Sequence, residues 1–243
     1  MEKLYGLVGA SLQHSFSADF FAAFFSKNNI TNAEYKNFEL ATIEGIKNLF
    51  EMPELQGVNV TIPYKEQVIP FLQAVDPIAT RVGAVNCIKR TAEGWKGYNT
   101  DVVGFRDSLK PLLHPRHKSA LVLGSGGASK AVQYVLNELG ITFQVVSTRG
   151  LPGTLKYDEI TEKTIHENLL IVNCTPLGMF PNISDSPNLP YHVLGKRHLL
   201  YDLIYRPKVT EFLRSGADMG AKVKNGQEML ELQALESWKI WSA

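Results

Sequence analysis

The stretch Asn59-Val60-Thr61-Ile62-Pro63-Tyr64-Lys65 holds residue types suited to proton transfer. Val58, Val60 and Ile62 alternate with Asn59 and Thr61, a strand pattern that puts the two polar side chains on one face. Pro63 suits the first turn of a following helix, where its missing N–H costs nothing. Lys65 would then sit at the positive end of a helix dipole, which disfavours the charged amine and suits proton exchange with a substrate. By itself such a lysine reads more simply as a solvated surface group. Asp101, after Asn99 and Thr100, has two readings as well. It stabilises the N-terminus of a helix over residues 102–113, or it is a carboxylate that orients Lys65.

Ser15 and Ser17 are two residues apart, so an extended backbone aims both hydroxyls the same way, where they could hydrogen-bond a small carboxylate. The simpler alternative is that Ser17 N-caps a helix whose apolar face is Phe20, Phe21, Phe24 and Phe25. His14 reads as structural, because no second His or Cys stands at metal-ligand spacing. Asn86 is a polar residue in the apolar strand expected over Val82–Ile88, and either satisfies a local backbone group or faces a site.

A second chemistry begins at residue 120. The apolar run Ala120–Leu123 is followed by Gly124-Ser125-Gly126-Gly127-Ala128-Ser129, then by a helical stripe of Val132, Val135, Leu136 and Leu139 closed by Gly140. Strand, glycine turn and helix are the context in which a backbone can approach a pyrophosphate seated on a helix N-terminus. The next strand, Thr142–Val146, ends in Ser147-Thr148-Arg149, where an NAD site would usually carry Asp or Glu for the ribose hydroxyls. Hydroxyls and an arginine suit a 2′-phosphate, so the expected cofactor is NADP. The alternative for Arg149 is an exposed loop arginine. The polar-Pro-Gly loop Cys174–Met179 follows a strand at residues 169–173 and suits the nicotinamide side, and the Tyr205 phenol lies in a later loop.

The elements that position these residues alternate between strand and helix, which implies βαβ units and mostly parallel sheet. Besides those named, strands are expected at residues 4–10, 34–38, 56–62 and 198–203. Helices are expected at residues 42–50, from Val209, and from about Gly226. A hairpin turn is expected at Thr91–Gly94. The expected fold is α/β, with an N-terminal substrate domain (residues 1–101 plus about 226–243), a Rossmann-type dinucleotide-binding domain (residues 102–225), and a crevice between them. The 243 residues carry a formal net charge of +1. That balance speaks against nucleic acid as a partner, and the absence of a long apolar span speaks against a membrane one. With no leader pattern and two distant cysteines, Cys87 and Cys174, a reducing cytoplasmic location is expected.

The runs His14–Ser17, Asn59–Lys65, Gly83–Asn86, Asn99–Asp101, Gly124–Ala128, Asn173–Met179, Tyr201–Tyr205 and Gly226–Gln233, in this order over nearly the whole chain, resemble the shikimate dehydrogenase family. The resemblance implies reversible, NADPH-dependent reduction of 3-dehydroshikimate to shikimate on the route to aromatic amino acids, by a monomer or homodimer. It implies that Lys65, paired with Asp101, moves the proton, and that Ser15 and Ser17 hold the substrate carboxylate. Thr61, Asn86, Asp101 and Gln233 would bind its hydroxyls, with Tyr205 nearby. Gly124, Ser125, Gly126, Gly127 and Ala128 would hold the pyrophosphate and Ser147, Thr148 and Arg149 the adenosine phosphate. Leu203 and Gly226 would line the nicotinamide end, and no metal is required. Two rival readings are an NAD-dependent quinate/shikimate dehydrogenase and a non-catalytic paralogue that senses shikimate or a nucleotide. Keeping both Lys65 and Asp101 argues against the sensor.

Overall fold

The computed structural model describes residues 2–12 and 15–243. His14 lies outside them. The chain divides into two compact units, residues 1–100 with 234–243 and residues 101–233.

The first unit contains β1 (Lys3–Gly9), α1 (Ser17–Lys27), β2 (Ala33–Glu39), α2 (Ile46–Phe50), β3 (Leu55–Val60), β4 (Ala74–Val75), α3 (Pro77–Val82), β5 (Cys87–Thr91) and β6 (Gly94–Tyr98). Its sheet has the order β2-β1-β3-β5-β6-β4. β1 is parallel to both β2 and β3, while the β5–β6 hairpin runs antiparallel to β3. Residues alternate between two apolar layers as the pleat requires. Leu4 and Val8 of β1 join Ile46, Leu55, Val58 and Ile88, whereas Tyr5 joins Phe21, Phe25 and Trp241 on the other face.

Three expected elements differ here. Val60 is buried but Ile62 is 68 % exposed, because β3 ends at Val60. No helix starts at Pro63: residues 62–68 are turns. The Lys65 carbonyl accepts from the Val85 N–H at 2.7 Å, so a tertiary partner takes the acceptor a helix would use internally. Lys65 therefore does not stand at a helix N-terminus. Residues 82–86 are not strand either. Asp76 caps α3 by accepting from the Ile78 N–H at 2.9 Å, Pro77 starts it, and Gly83 at φ 70° ends it.

The second unit contains α4 (Asp101–Leu109), β7 (Ser119–Leu123), α5 (Gly127–Glu138), β8 (Thr142–Val146), β9 (Thr154–Leu155), α6 (Glu162–Glu167), β10 (Leu170–Asn173), β11 (Leu199–Asp202), α7 (Glu211–Asp218) and β12 (Lys222–Lys224). The sheet order is β12-β11-β10-β7-β8-β9, with every pair parallel. Numbered within the unit this is 6-5-4-1-2-3, the doubly wound dinucleotide-binding order, whose switch point lies between β7 and β10. The central strands are apolar runs because both faces are covered. Leu121, Leu123, Ile171 and Leu200 pack with Phe212 on one face, while Tyr201 meets Phe105 of α4 on the other.

The last helix, α8 (Gln227–Ser242), contributes to both units. Near its start, α4 approaches so closely that a Cβ on Gly104 would lie 2.5 Å from the Met229 carbonyl oxygen. Near its end, Trp241 donates its indole N–H to the Ile88 carbonyl at 2.9 Å and stacks on Tyr5 at 4.9 Å. Trp241→Ala empties this site and orphans an acceptor. It is expected to cost about 3–5 kcal/mol, read as a lower urea midpoint for the first unit.

Candidate active site

In the first unit, the ends of the parallel strands β1 and β3 lie side by side, so the segments that leave them are neighbours. A Cβ on Gly9 would come within 2.7 Å of the Thr61 methyl, and the Thr61 N–H donates to the Val8 carbonyl at 2.9 Å. The Val60 N–H reaches the Asn86 carbonyl at 2.8 Å, which adds the segment before β5 to the same edge. The structure thus gathers Thr61 and Asn86 at one sheet edge. Ser15 and Ser17 follow β1, and Lys65 follows β3.

Ser17 is the first helical residue and does not cap α1: Phe16 is the N-cap, with no side-chain cap bond. The Ser15 hydroxyl supplies the missing acceptor, taking the Ser17 N–H at 3.2 Å. Asn59 is only 4 % exposed, and its side chain is taken up by internal hydrogen bonds. It donates to the Asn86 carbonyl at 3.2 Å and the Ser237 hydroxyl at 2.8 Å, and accepts from the Tyr35 phenol at 2.9 Å. The Asn86 side chain closes a second ring with Thr100, donating to its hydroxyl at 3.0 Å and accepting its N–H at 2.6 Å. Asn59, Thr100, Tyr35 and Ser237 had no assigned role in the sequence. The available signal was a run of amides and hydroxyls in segments otherwise apolar.

In the second unit, Asp101 is the first residue of α4 and only 5 % exposed. Gln233 lies across from that helix, its Cβ 3.0 Å from where a Gly104 Cβ would be. Tyr205 is half-buried in the loop after β11. The glycine turn Gly124–Gly127 leaves β7 at the switch point and runs into α5, with Gly126 as N-cap. Gly124 has φ +102°, and a Cβ there would meet Cys174 and Thr175 at 3.1–3.2 Å. Nothing lies within 4 Å of a Cβ on Gly126, so that side of the turn is open for a ligand's close approach. Ser125 and Ala128 belong to the same turn and helix start.

Ser147 is buried: its hydroxyl bonds the Ser125 hydroxyl at 2.9 Å and accepts the Arg149 N–H at 3.1 Å. It braces the loop, while Thr148 and Arg149 are exposed. No acidic side chain follows β8, and this donor set fits the 2′-phosphate of NADP. Leu203 donates its N–H to the Asn173 carbonyl at 3.0 Å, and a Cβ on Gly226 would lie 2.1 Å from the Leu203 carbonyl oxygen. These two residues therefore stand together at the same strand edge.

Residues 7–88 match the shikimate dehydrogenase substrate binding domain. The NADP(+) shikimate dehydrogenase of Caldicellulosiruptor saccharolyticus is 36 % identical over 259 residues, covering 99 % of this chain and 92 % of that protein. The chain belongs to the shikimate dehydrogenase family. Shikimate dehydrogenase 1 of Peptoclostridium difficile superposes with a TM-score of 0.87 at 38 % identity, covering 99 % of this chain and 91 % of that one. The Thermus thermophilus enzyme, solved with NADP(H) and shikimate, does so with 0.86 at 31 % identity, covering 99 % and 93 %. The likeness extends beyond the matched substrate domain, since these relatives align with 99 % of the chain. Among the described residues, no helix is long and apolar enough to cross a membrane.

At the end of β11, Asp202 is fully buried. Burial lifts its carboxyl to about 6, against the opposing pull of hydrogen bonds from Thr210, Ile204 and Asn173. A folded-state value above the usual aspartate value near 4 means that the folded protein holds this proton more tightly than the unfolded chain. The stabilisation is complete below about pH 4 and is lost as pH rises through about 6. Urea unfolding from pH 4 to 7 is expected to show roughly 2 kcal/mol of this loss in the wild type and not in Asp202→Asn. Identical pH slopes in the two proteins would remove Asp202 as the cause.

Proposed function

We propose that this chain catalyses the reversible, NADPH-dependent reduction of 3-dehydroshikimate to shikimate, in the cytoplasm and in the service of aromatic amino acid synthesis. What supports the reading is that one chain carries two such strand edges, one in each unit. One edge bears hydroxyls, amides and Lys65. The other bears a glycine turn at a doubly wound switch point, followed by Ser147-Thr148-Arg149 in place of an acidic residue. Relatives that align with almost all of the chain carry the same activity in their names.

The roles follow from what each side chain can donate. Ser15 and Ser17 provide hydroxyls for the substrate carboxylate. Thr61, Asn86, Gln233 and Tyr205 bind and orient the ring hydroxyls, and the buried ties to Thr100 and Asn59 keep Asn86 in place. Gly124 to Ala128 and the start of α5 hold the pyrophosphate, Thr148 and Arg149 the 2′-phosphate, and Leu203 and Gly226 flank the nicotinamide. When bound, the reduced cofactor supplies a hydride to the substrate's C3 carbonyl. Lys65 gives a proton to the oxygen that becomes the hydroxyl, and in the reverse direction takes it back. Asp101 accepts a hydrogen bond from that hydroxyl and holds it in register with Lys65.

Lys65→Ala is expected to lower kcat by about two to four orders of magnitude while shikimate binding, followed by calorimetry, changes little. Near-normal turnover in that variant would take Lys65 out of the reaction.

A further inference from the structure

None of the chemistry above uses Asp202, a fully buried carboxylate in the middle of the strand edge assigned to the cofactor. One of its oxygens accepts from the Asn173 side-chain amide at 3.1 Å and from the Ile204 N–H at 3.0 Å. The other accepts the Thr210 hydroxyl at 2.6 Å, and Thr210 in turn caps α7 by accepting the Leu213 N–H at 3.3 Å. A carboxylate oxygen that receives two donors forces a choice on Asn173: its NH2 group must face Asp202. The Leu177 carbonyl, 3.5 Å from the same nitrogen, asks for the same orientation. The Asn173 carbonyl oxygen is then left facing the following loop. There it accepts the Thr175 N–H at 3.0 Å and the Thr175 hydroxyl at 2.7 Å. The Thr175 hydroxyl passes the constraint on, accepting the Leu177 N–H at 3.3 Å.

Two loops thus take their shape from one carboxylate, and both border the proposed dinucleotide site. The loop after β10 lies against the glycine turn, since a Cβ on Gly124 would be 3.2 Å from the Cys174 backbone and 3.1 Å from the Thr175 methyl. The loop after β11 presses Leu203 against Gly226. Neither contact leaves room for a shift that keeps the neighbouring segment where it is.

We propose that Asp202 is a positioning residue for the cofactor: by orienting Asn173 and holding the backbone at Ile204, it sets the loops after β10 and β11 in the form that receives the nicotinamide end of NADP. It does so without touching the cofactor, since it is enclosed by its three donors. The inference rests on the proposed function, which puts the dinucleotide at this edge.

The test compares the wild type with Asp202→Ala, Asp202→Asn, Asn173→Ala and the Asp202→Ala/Asn173→Ala double variant. KM for NADP, KM for shikimate and kcat are measured, and thermal unfolding identifies which variants are folded. Asp202→Ala and Asn173→Ala are each expected to raise KM for NADP about tenfold, the effect of leaving a buried hydrogen-bonding group unmatched beside the site. KM for shikimate should rise less, by about threefold at most, because of the groups assigned to that substrate only Tyr205 lies in these loops. Asp202→Asn keeps one oxygen for Asn173 and Ile204 and can donate to the Thr210 hydroxyl, so it should restore most of the affinity. The double variant should be no worse than the poorer single one, as expected of residues in one chain of contacts.

A folded Asp202→Ala protein with wild-type KM for NADP overturns the inference. So do equal rises in both KM values, failure of Asp202→Asn to rescue, or effects that multiply in the double variant. If Asp202→Ala does not fold, Thr175→Val carries the test: it removes only the hydroxyl that links Asn173 to Leu177. It is expected to raise KM for NADP about threefold, and an unchanged KM overturns the inference. Wild-type protein that neither turns over nor binds NADP would sink the proposed function first, and this inference with it.

Discussion

A buried carboxamide must have each of its hydrogen-bonding groups matched, and in the first unit that requirement falls on Asn59. Its amide nitrogen has two acceptors and its oxygen has one donor, drawn from β2, from the segment before β5 and from α8. An unmatched group at this depth would cost about 1–3 kcal/mol, a sizeable part of a domain's stability. Satisfying Asn59 therefore fixes where β2, β5 and the end of α8 meet β3. Those are the elements that bring Thr61 and Asn86 to one edge. The same bonds hold the fold and set that edge.

The second unit uses a related device with a charge in it. Asn173 and Asp202 end adjacent parallel strands, and their side chains are matched by the loops that leave those strands. Parallel strands all finish at one edge, so the loops that must satisfy their ends are the loops available to a ligand. A fold of this kind places its binding residues where its backbone accounting is most demanding. Burial raises the carboxyl of Asp202, and the same burial makes its three donors worth keeping.

Where local pattern and tertiary demand agreed, the sequence was readable almost residue by residue. β8 was expected at Thr142–Val146 and lies there, and Gly140 sits just past α5 with φ +67°. The glycine turn was legible because its strand, turn and helix are contiguous. The Lys65 segment was misread because the Val85 N–H, twenty residues on, takes the Lys65 carbonyl, which no local pattern reveals. The strand expected over residues 82–88 was misread for another reason. Asp76, Pro77 and Gly83 were ordinary helix signals outweighed by an apolar run. Ser17 as a cap was a fair inference from type, yet Ser15 does the accepting. The partners of Asn59 and Asp202 were invisible for want of distance information, since they come from segments distant in sequence or from loops with no pattern of their own. The two polar edges were therefore legible as residue types, and the bonds that hold them were not.

The claim on which the rest depends is that this chain passes a hydride between NADP and shikimate. Its most direct test follows the near-ultraviolet absorbance of reduced nicotinamide as the purified wild-type protein is given shikimate with NADP, and separately with NAD. Reduction is expected when both partners are present, with a clear advantage in kcat/KM for NADP. No absorbance change with either cofactor, or an advantage for NAD, would contradict it.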